Sequence, residues 1–315
     1  MIYACSDIMY AIPLEEIPKT IRQGIRTIAY LSLQEFQQIA PGIEIKQSTI
    51  DLLCKPSIHF RSSFIQTEES VFGSFQMINL ENIMESSGKI GIFLTKNYCL
   101  LVNLGEDDPE VAHVFERAVS RCKSDELTVE KVLYLFFETL VMEDAARLED
   151  IEFEFDVLED RIVAKKVEEE FYQVLILKKR ELFVLHNYYE QFLEFVDVLE
   201  ENRQGLFEGE NKKYLQMMEH KFSRLKQNTL QLRESMVQLR EAYQAYLDYS
   251  LNSVMKLFTV VTTIFVPLSL IVGWYGMNFT SMPELKWKYG YAYVIGLTAV
   301  IVLLCIWVFK KKKLI

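Results

Sequence analysis

Two stretches near the C-terminal end leave this sequence little freedom. Leu257 to Tyr275 runs 19 residues without a charged side chain, and Tyr291 to Phe309 runs another 19. Each has about the length that crosses a ~30 Å hydrocarbon layer as a helix. Lipid offers the backbone no hydrogen-bond partner, so such a stretch must satisfy its own amides, as a helix does. Trp274, Tyr275, Trp287, Tyr289, Tyr291 and Tyr293 gather at one end of both stretches, as an interfacial aromatic belt does. Lys310 to Lys313 follow the second stretch, whereas the linker at 276–290 carries only Lys286 and Lys288. That bias predicts both termini on the cytoplasmic side and the linker outside. The opening segment MIYACSDIMYAIPLEEIPK lacks a basic n-region and carries acids, so it does not read as a signal peptide. The part before the spans is expected to stay in the cytosol.

Nearly all charge lies before residue 257. The net charge of −10 argues against nucleic acid, which needs a basic face. An acidic balance suits divalent cations, and it equally suits plain solubility. Cys5, Cys54, Cys99, Cys122 and Cys305 are scattered without a C-x-x-C pair, and the four histidines show no ligand spacing. A disulfide framework or zinc cluster is therefore not expected. Neither a phosphate-binding G-x-x-x-x-G-K-[ST] loop nor a nucleophile–base pairing is present, so no enzyme is expected.

Residues 1–125 read as an α/β domain. IKQSTIDLL, IHFRSSFIQ, SFQMINL and KIGIFLTKNYCLLVNLG are strand candidates, the last a hairpin turning at Lys96–Asn97. DDPEVAHVFERAVSRC is a helix, with Asp107 or Asp108 as cap and Pro109 in its first turn. Residues 126–209 form a helical hairpin region. Within it, Glu143 to Asp160 holds nine carboxylates against Arg147 alone. That run is either a solvated helix face or a surface that concentrates cations. From Glu210 to Val266 there is neither Gly nor Pro. A stalk helix over 210–256 is expected to continue into a first span at 257–275. Leu215, Met218, Phe222, Leu225, Thr229, Leu232, Met236, Leu239, Tyr243 and Tyr246 recur by threes and fours as a seam for packing. The second span covers 291–309 and a basic tail 310–315.

The first span has two characters. Leu257, Val261, Ile264, Leu268 and Ile271 form an apolar stripe suited to lipid. Met255, Thr262, Val266, Ser269 and Gly273, with Thr259 beside them, form another. Traced back, the second stripe meets Asn252, Asp248, Ala245 and Glu241, then Gln238, Glu234, Gln231 and Gln227, opposite the seam. Small and polar residues in a membrane serve helix packing or line an aqueous path. One helix encloses nothing, so a path would need a homo-oligomeric ring.

Just beyond the first span stands WYGMNFTSMPEL, residues 274–285. Here the sequence resembles the CorA family of magnesium transporters, marked by Gly-Met-Asn after the first of two C-terminal membrane helices. Gly276, Met277 and Asn278 match, as do Tyr275, Phe279 and the run Met282 to Leu285. The resemblance covers the architecture of the whole chain and is motif-specific over roughly 250–313. It implies a funnel-shaped homopentamer in the plasma membrane: an α/β N-terminal cytosolic domain, a long stalk helix and two C-terminal transmembrane helices. It implies that Asn278 rings the outer mouth, and that Asn252, Met255, Phe258, Thr262, Val266, Ser269 and Gly273 line the path. Phe258 enters through the resemblance alone; spacing would choose Thr259. The resemblance also implies that Mg²⁺ is both cargo and regulator, bound by carboxylates at cytosolic contacts between copies. Glu241, Asp248 and the acidic run are candidates.

The chemistry is consistent with that. Mg²⁺ sheds water reluctantly. A ring of amide oxygens at Asn278 can hydrogen-bond the bound waters without stripping them, weakly enough to let go. Gly276 would allow close backbone approach or a positive φ. Glu284 in the external loop either raises local cation concentration or is an ordinary solvated side chain. Met255 and Phe258 form a candidate apolar gate. Two other readings stay open: a transporter of Co²⁺, Ni²⁺ or Zn²⁺, and a membrane-anchored interaction or sensor protein whose spans are anchors only.

Overall fold

A computed structural model describes residues 1–5, 9–43, 45, 50, 63–67, 70–80, 82–83, 86–105, 109–122, 128–168, 170–201, 205, 207, 209–277, 282 and 287–312. Two compact units divide the chain, Met1–Leu239 and Arg240–Ile315.

The first unit is built on a seven-stranded sheet in the order β2-β1-β3-β7-β6-β5-β4. The strands are β1 (Ile2–Cys5), β2 (Met9–Ala11), β3 (Arg26–Ser32), β4 (Ser63–Gln66), β5 (Ser70–Ile78), β6 (Ser86–Thr95) and β7 (Tyr98–Asn103). The β6–β7 hairpin turns at Lys96–Asn97 as expected, and the Thr95 hydroxyl accepts the amides of Asn97 and Tyr98. At the centre, β3 and β7 pair in parallel from Thr27↔Tyr98 to Ser32↔Asn103. Every residue of β7 is buried, as befits a strand covered on both faces.

Helix α1 (Ile17–Arg22) and helix α2 (Leu33–Ile39) cover one face. They bury Ala29, Leu31, Leu100 and Val102 with Phe36, whose ring lies 4.4 Å from that of Phe93. A capping box starts α2. The Ser32 hydroxyl accepts the Glu35 amide, and the Ser32 amide donates to the Glu35 carboxylate at 2.8 Å. The other face receives α3 (Pro109–Ser120), α4 (Val129–Leu140) and α6 (Phe171–Glu200). Phe75 of β5 lies 5.3 Å from Phe137 of α4 and 5.1 Å from Phe195 of α6, both edge-on. Phe222 of helix α7 (Lys212–Tyr275) closes this cluster, 5.0 Å from Phe192. Edge-to-face rings add to the burial of their large apolar area.

Strand β5 also draws on α6. The Gln76 amide donates to Gln191 Oε1 at 2.9 Å, and Gln191 Nε2 donates to the Gln76 carbonyl at 2.7 Å. One side chain here does for a strand what a neighbouring strand would do. Helix α5 (Asp144–Val163) is amphipathic, burying Leu148, Ile151, Phe155, Leu158 and Ile162 while most of its acids stay exposed.

SFQMINL lies in β5 and the end of IHFRSSFIQ is β4; the rest of the latter lies outside the described residues. So does most of IKQSTIDLL, and its one described interior residue, Ile50, is helical rather than extended. The helix expected at Pro109 is α3, while its candidate caps Asp107 and Asp108 lie outside the described residues.

The stalk helix begins with a 3-10 turn at Gly209–Asn211 and runs as α7 without interruption to Tyr275. Its seam from Leu215 to Leu239 is buried, and Tyr243 and Tyr246 are half-buried. The second unit holds the remainder of α7 from Arg240 and helix α8 (Gly290–Lys311).

Candidate functional site

Both α7 and α8 are long and apolar enough to cross a membrane, and their most apolar windows are almost wholly uncovered by the chain itself. A helix that is apolar on all sides belongs in a core or a bilayer. Those windows are not in a core, whereas the earlier part of α7 up to Leu239 is packed in the first unit.

Within the second unit, α7 has a covered side and an open side. Val260, Ile264, Pro267, Leu268, Ile271 and Tyr275 are half-buried. Helix α8 answers with Val294, Leu297, Thr298, Ile301, Val302 and Cys305 at matching spacing. Three members of the expected lipid stripe, Ile264, Leu268 and Ile271, therefore face protein, while Leu257 and Val261 remain exposed. The open side carries Asn252, Met255, Phe258, Thr262, Val266, Ser269 and Gly273, all exposed. At about 100° per residue these seven fall within an arc of roughly 120°, opposite the covered set. Met255, Phe258 and Val266 are each at least 60% exposed, too much for residues serving this chain's own helix packing. Glu241 and Asp248 continue the same face and are exposed; Gln244 Nε2 donates to Asp248 Oδ1 at 3.3 Å.

Two hydroxyls on this stretch bond back to the helix itself. Thr259 donates to the Met255 carbonyl, and Thr262 donates to the Phe258 carbonyl at 2.8 Å with a second approach to the Thr259 carbonyl at 3.2 Å. Bonding back to the carbonyl four residues earlier satisfies the hydrogen within the helix. It leaves the oxygen lone pairs of Thr262 turned outward.

Pro267 lacks an amide hydrogen, so the Thr263 carbonyl loses its helical partner. Cys305 Sγ of α8 stands 3.9 Å from that oxygen as a weak donor. This contact pins the two helices together. The proline is legible in the sequence, but the donor on another helix is not.

The Gly-Met-Asn segment follows the end of α7. The Gly276 amide donates to the Val272 carbonyl at 2.9 Å. A Cβ on Gly276 would stand 2.9 Å from that same carbonyl oxygen. Close approach is thus why glycine stands there, and Gly276 is not among the glycines with positive φ. Met277 is exposed. Asn278 and Glu284 lie outside the described residues. The aromatic belt has internal contacts: Trp287 lies 6.2 Å from Tyr289 and 6.1 Å from Tyr293. At the other end of α8, Lys311 Nζ sits 5.2 Å over the Trp307 ring, a cation–π contact.

Among the described residues no three His, Cys, Asp or Glu side chains converge as a metal cage within the chain. The acidic run does not converge either. Most of its acids point to solvent from α5, and Asp144 points inward with 1% exposure.

This arrangement of a sheet unit, one very long helix with an apolar end and a second apolar C-terminal helix meets its counterparts among known proteins. The family model for the CorA-like Mg2+ transporter protein matches residues 30–311. The cobalt/magnesium transport protein CorA of Thermotoga maritima is 31% identical over 271 residues, covering 82% of this chain and 74% of that protein. The magnesium transport protein CorA of Helicobacter pylori is 34% identical over 110 residues, 35% of each chain. The CorA magnesium transporter structure from Methanocaldococcus jannaschii superposes with a TM-score of 0.75 at 19% identity, covering 91% of this chain and 90% of that one. At that identity it speaks for the fold alone. The chain belongs to the CorA-like Mg2+ transporter family, whose members move ions across membranes and are not enzymes.

Proposed function

We propose that this chain is the subunit of a passive Mg²⁺ channel whose path runs between copies, along the open side of α7. One observation carries the reading. Asn252, Met255, Phe258, Thr262, Val266, Ser269 and Gly273 share a face that the chain's own second apolar helix leaves bare. Phe258 and Met255 supply an apolar constriction that gates by dewetting. Thr262 offers outward lone pairs, and the waters of a hydrated cation present hydrogens. Mg²⁺ can therefore pass with its shell intact, which suits an ion that dehydrates reluctantly. Asn278 closes the outer end as a ring of amide oxygens.

The copies form a funnel-shaped homopentamer in the plasma membrane with both termini cytoplasmic, in keeping with the basic tail after α8. Uptake is driven by the membrane potential, where about 100 mV is worth ~2.3 kcal/mol per charge and so ~4.6 kcal/mol for a dication. Internal Mg²⁺ bridging Glu241 and Asp248 of neighbouring copies holds the path closed. Neutral replacements there leave it open at high internal Mg²⁺. Co²⁺ is a second cargo, on the strength of what the Thermotoga relative is named for. Spans that served only as anchors would leave the polar stripe without a reason.

The test is dye-reported Mg²⁺ uptake into vesicles holding the purified protein, with Co²⁺, Ni²⁺ and Zn²⁺ as competitors. Asn278→Ala is expected to abolish uptake while the particle keeps its size. Undiminished uptake in that variant, or a monomeric particle, overturns the reading.

A further inference from the structure

Asp144 is the most deeply buried acid among the described residues. It opens α5, directly after the turn that ends α4. Tyr189 of α6, also fully buried, lies beside it, and Lys221 of α7 is within electrostatic reach. Neither Asp144 Oδ2 nor the Tyr189 hydroxyl reaches full hydrogen-bond geometry, yet the hydroxyl stands close enough to favour the ionised form of Asp144. A carboxyl and a phenol buried side by side in imperfect hydrogen-bond geometry is a costly arrangement.

We propose that Asp144 and Tyr189 form a proton-binding site that sets how firmly the α4–α5 corner is held against α6 and α7. Every element around the site bears on its charge. Tyr189 comes from α6, Lys221 from α7 and Glu143 from the chain neighbour of Asp144. Helix α4 presents the Glu138 carbonyl, while the Glu138 carboxylate is turned away to Arg121 at 2.7 Å and to the Tyr134 hydroxyl at 2.8 Å. Burial pushes the Asp144 carboxyl up to about 7; Tyr189 and Lys221 oppose the rise and Glu143 adds to it. The site therefore exchanges its proton near neutral pH.

The sign follows from the two states. The folded chain holds this proton up to pH about 7, and the unfolded chain releases it near 3.8. Stability from this group is full below the lower value and is lost as pH rises to the upper one. Once ionised, the carboxylate needs donors. Lys221 is the charged one at hand, but its Nζ already serves the Glu138 carbonyl at 3.3 Å, in the last turn of α4 where carbonyls lack helical partners. Ionisation makes Asp144 and the end of α4 compete for one ammonium, and the corner loosens.

The test is amide hydrogen exchange of the full chain in detergent at pH 6, 7 and 8, corrected for intrinsic rates. Opening of amides 140–148 is expected to rise about tenfold from pH 6 to pH 8. Asp144→Asn, which keeps the shape and cannot ionise, is expected to remove that rise. Tyr189→Phe deletes a group that favours the charged form, so the midpoint is expected to move to higher pH. The same rise in Asp144→Asn, no rise in the unaltered chain, or an unmoved midpoint in Tyr189→Phe overturns the proposal. Should Asp144→Asn fail to fold, the Tyr189→Phe midpoint still decides. No ion flux is read, so the outcome is separate from the fate of the transport reading.

Discussion

Helix α7 lives under two regimes. Up to Leu239 its threes-and-fours pattern of apolar side chains is buried, and the one polar member of that seam, Thr229, donates its hydroxyl hydrogen to the Leu225 carbonyl at 2.9 Å. From Arg240 the same periodicity runs on to the half-buried Val260, Ile264, Leu268 and Ile271, but Leu257, Phe258, Phe265, Val266 and Leu270 are bare. In water an apolar stripe must find protein. In a bilayer an apolar side chain is at home without a partner, and small or polar positions mark where something other than lipid is met. Hydropathy alone therefore means different things in the two halves. In the first, apolar marks the contact; in the second, apolar side chains both meet α8 and stand bare, so apolarity no longer tells contact from exposure.

The contrast is broken most forcefully in the aromatic cluster. Phe137 touches Phe75, Phe192, Phe195 and Phe222, joining sheet, α4, α6 and α7. Phe137→Ala is expected to destabilise the first unit by ~3–5 kcal/mol through lost burial and a residual cavity. Denaturant unfolding followed by circular dichroism measures it. A loss under ~1 kcal/mol would mean the rings do not form a common core. No exposed phenylalanine of the second unit should behave this way, since truncating Phe265 in the membrane leaves no cavity inside the chain.

How much of this was legible in the sequence follows the same division. The seam, the two apolar stretches, the β6–β7 hairpin and the open stripe apart from Phe258 are readable because each is a local pattern; for Phe258 the spacing alone selects Thr259. The first 44 residues gave no element, yet they supply β1, β2, β3, α1 and α2. Their strands are short, and β3 is buried along most of its length, so the alternation that announces a strand is absent. Asp144 was counted as one of nine acids on a charged helix, and its inward turn depends on Tyr189 and Lys221, 45 and 77 positions away. Of the five residues in the apolar stripe, Ile264, Leu268 and Ile271 face protein and not lipid, because a single helix carries no record of where its neighbour packs. Only Pro267, by orphaning the Thr263 carbonyl, hints that α8 must come near.

Two threonines sharpen the open-versus-covered distinction at smaller scale. Thr262 on the open side and Thr298 on the covered side of α8 both bond back to the carbonyl four residues earlier, each at 2.8 Å. Each hydroxyl hydrogen is thus satisfied within its own helix. Replacing either with valine keeps the shape and removes the oxygen. Thr262→Val is expected to lower Mg²⁺ uptake about tenfold, equivalent to ~1.4 kcal/mol of barrier, while Thr298→Val leaves uptake as it was. Equal losses in both would show that the hydroxyls matter for helix packing and not for the path.

The smallest effect is expected on the acidic helix, where charge is plentiful and mostly solvated. Lys178 of α6 bridges Glu154 of α5 and its own neighbour Glu181, the latter at 2.9 Å, and Arg147 stands 3.6 Å from Glu154. Burial alone would lower the Lys178 pKa, but the two carboxylates outweigh it and hold it above its ordinary value. Lys178→Met keeps the stem packed and deletes the charge. Because Glu154 is more than a third exposed and retains Arg147, the loss should stay below ~1 kcal/mol. Screening at about 1 M salt, where the Debye length is ~3 Å, should shrink the gap further. The Phe137→Ala deficit should not shrink with it, since burial of rings does not depend on screened charge. Denaturant midpoints of both variants at low and high salt make the comparison. A Lys178→Met loss as large as that of Phe137→Ala, undiminished by salt, would mean that α5 is held to α6 by buried charge and not by Leu148, Ile151, Phe155 and Leu158.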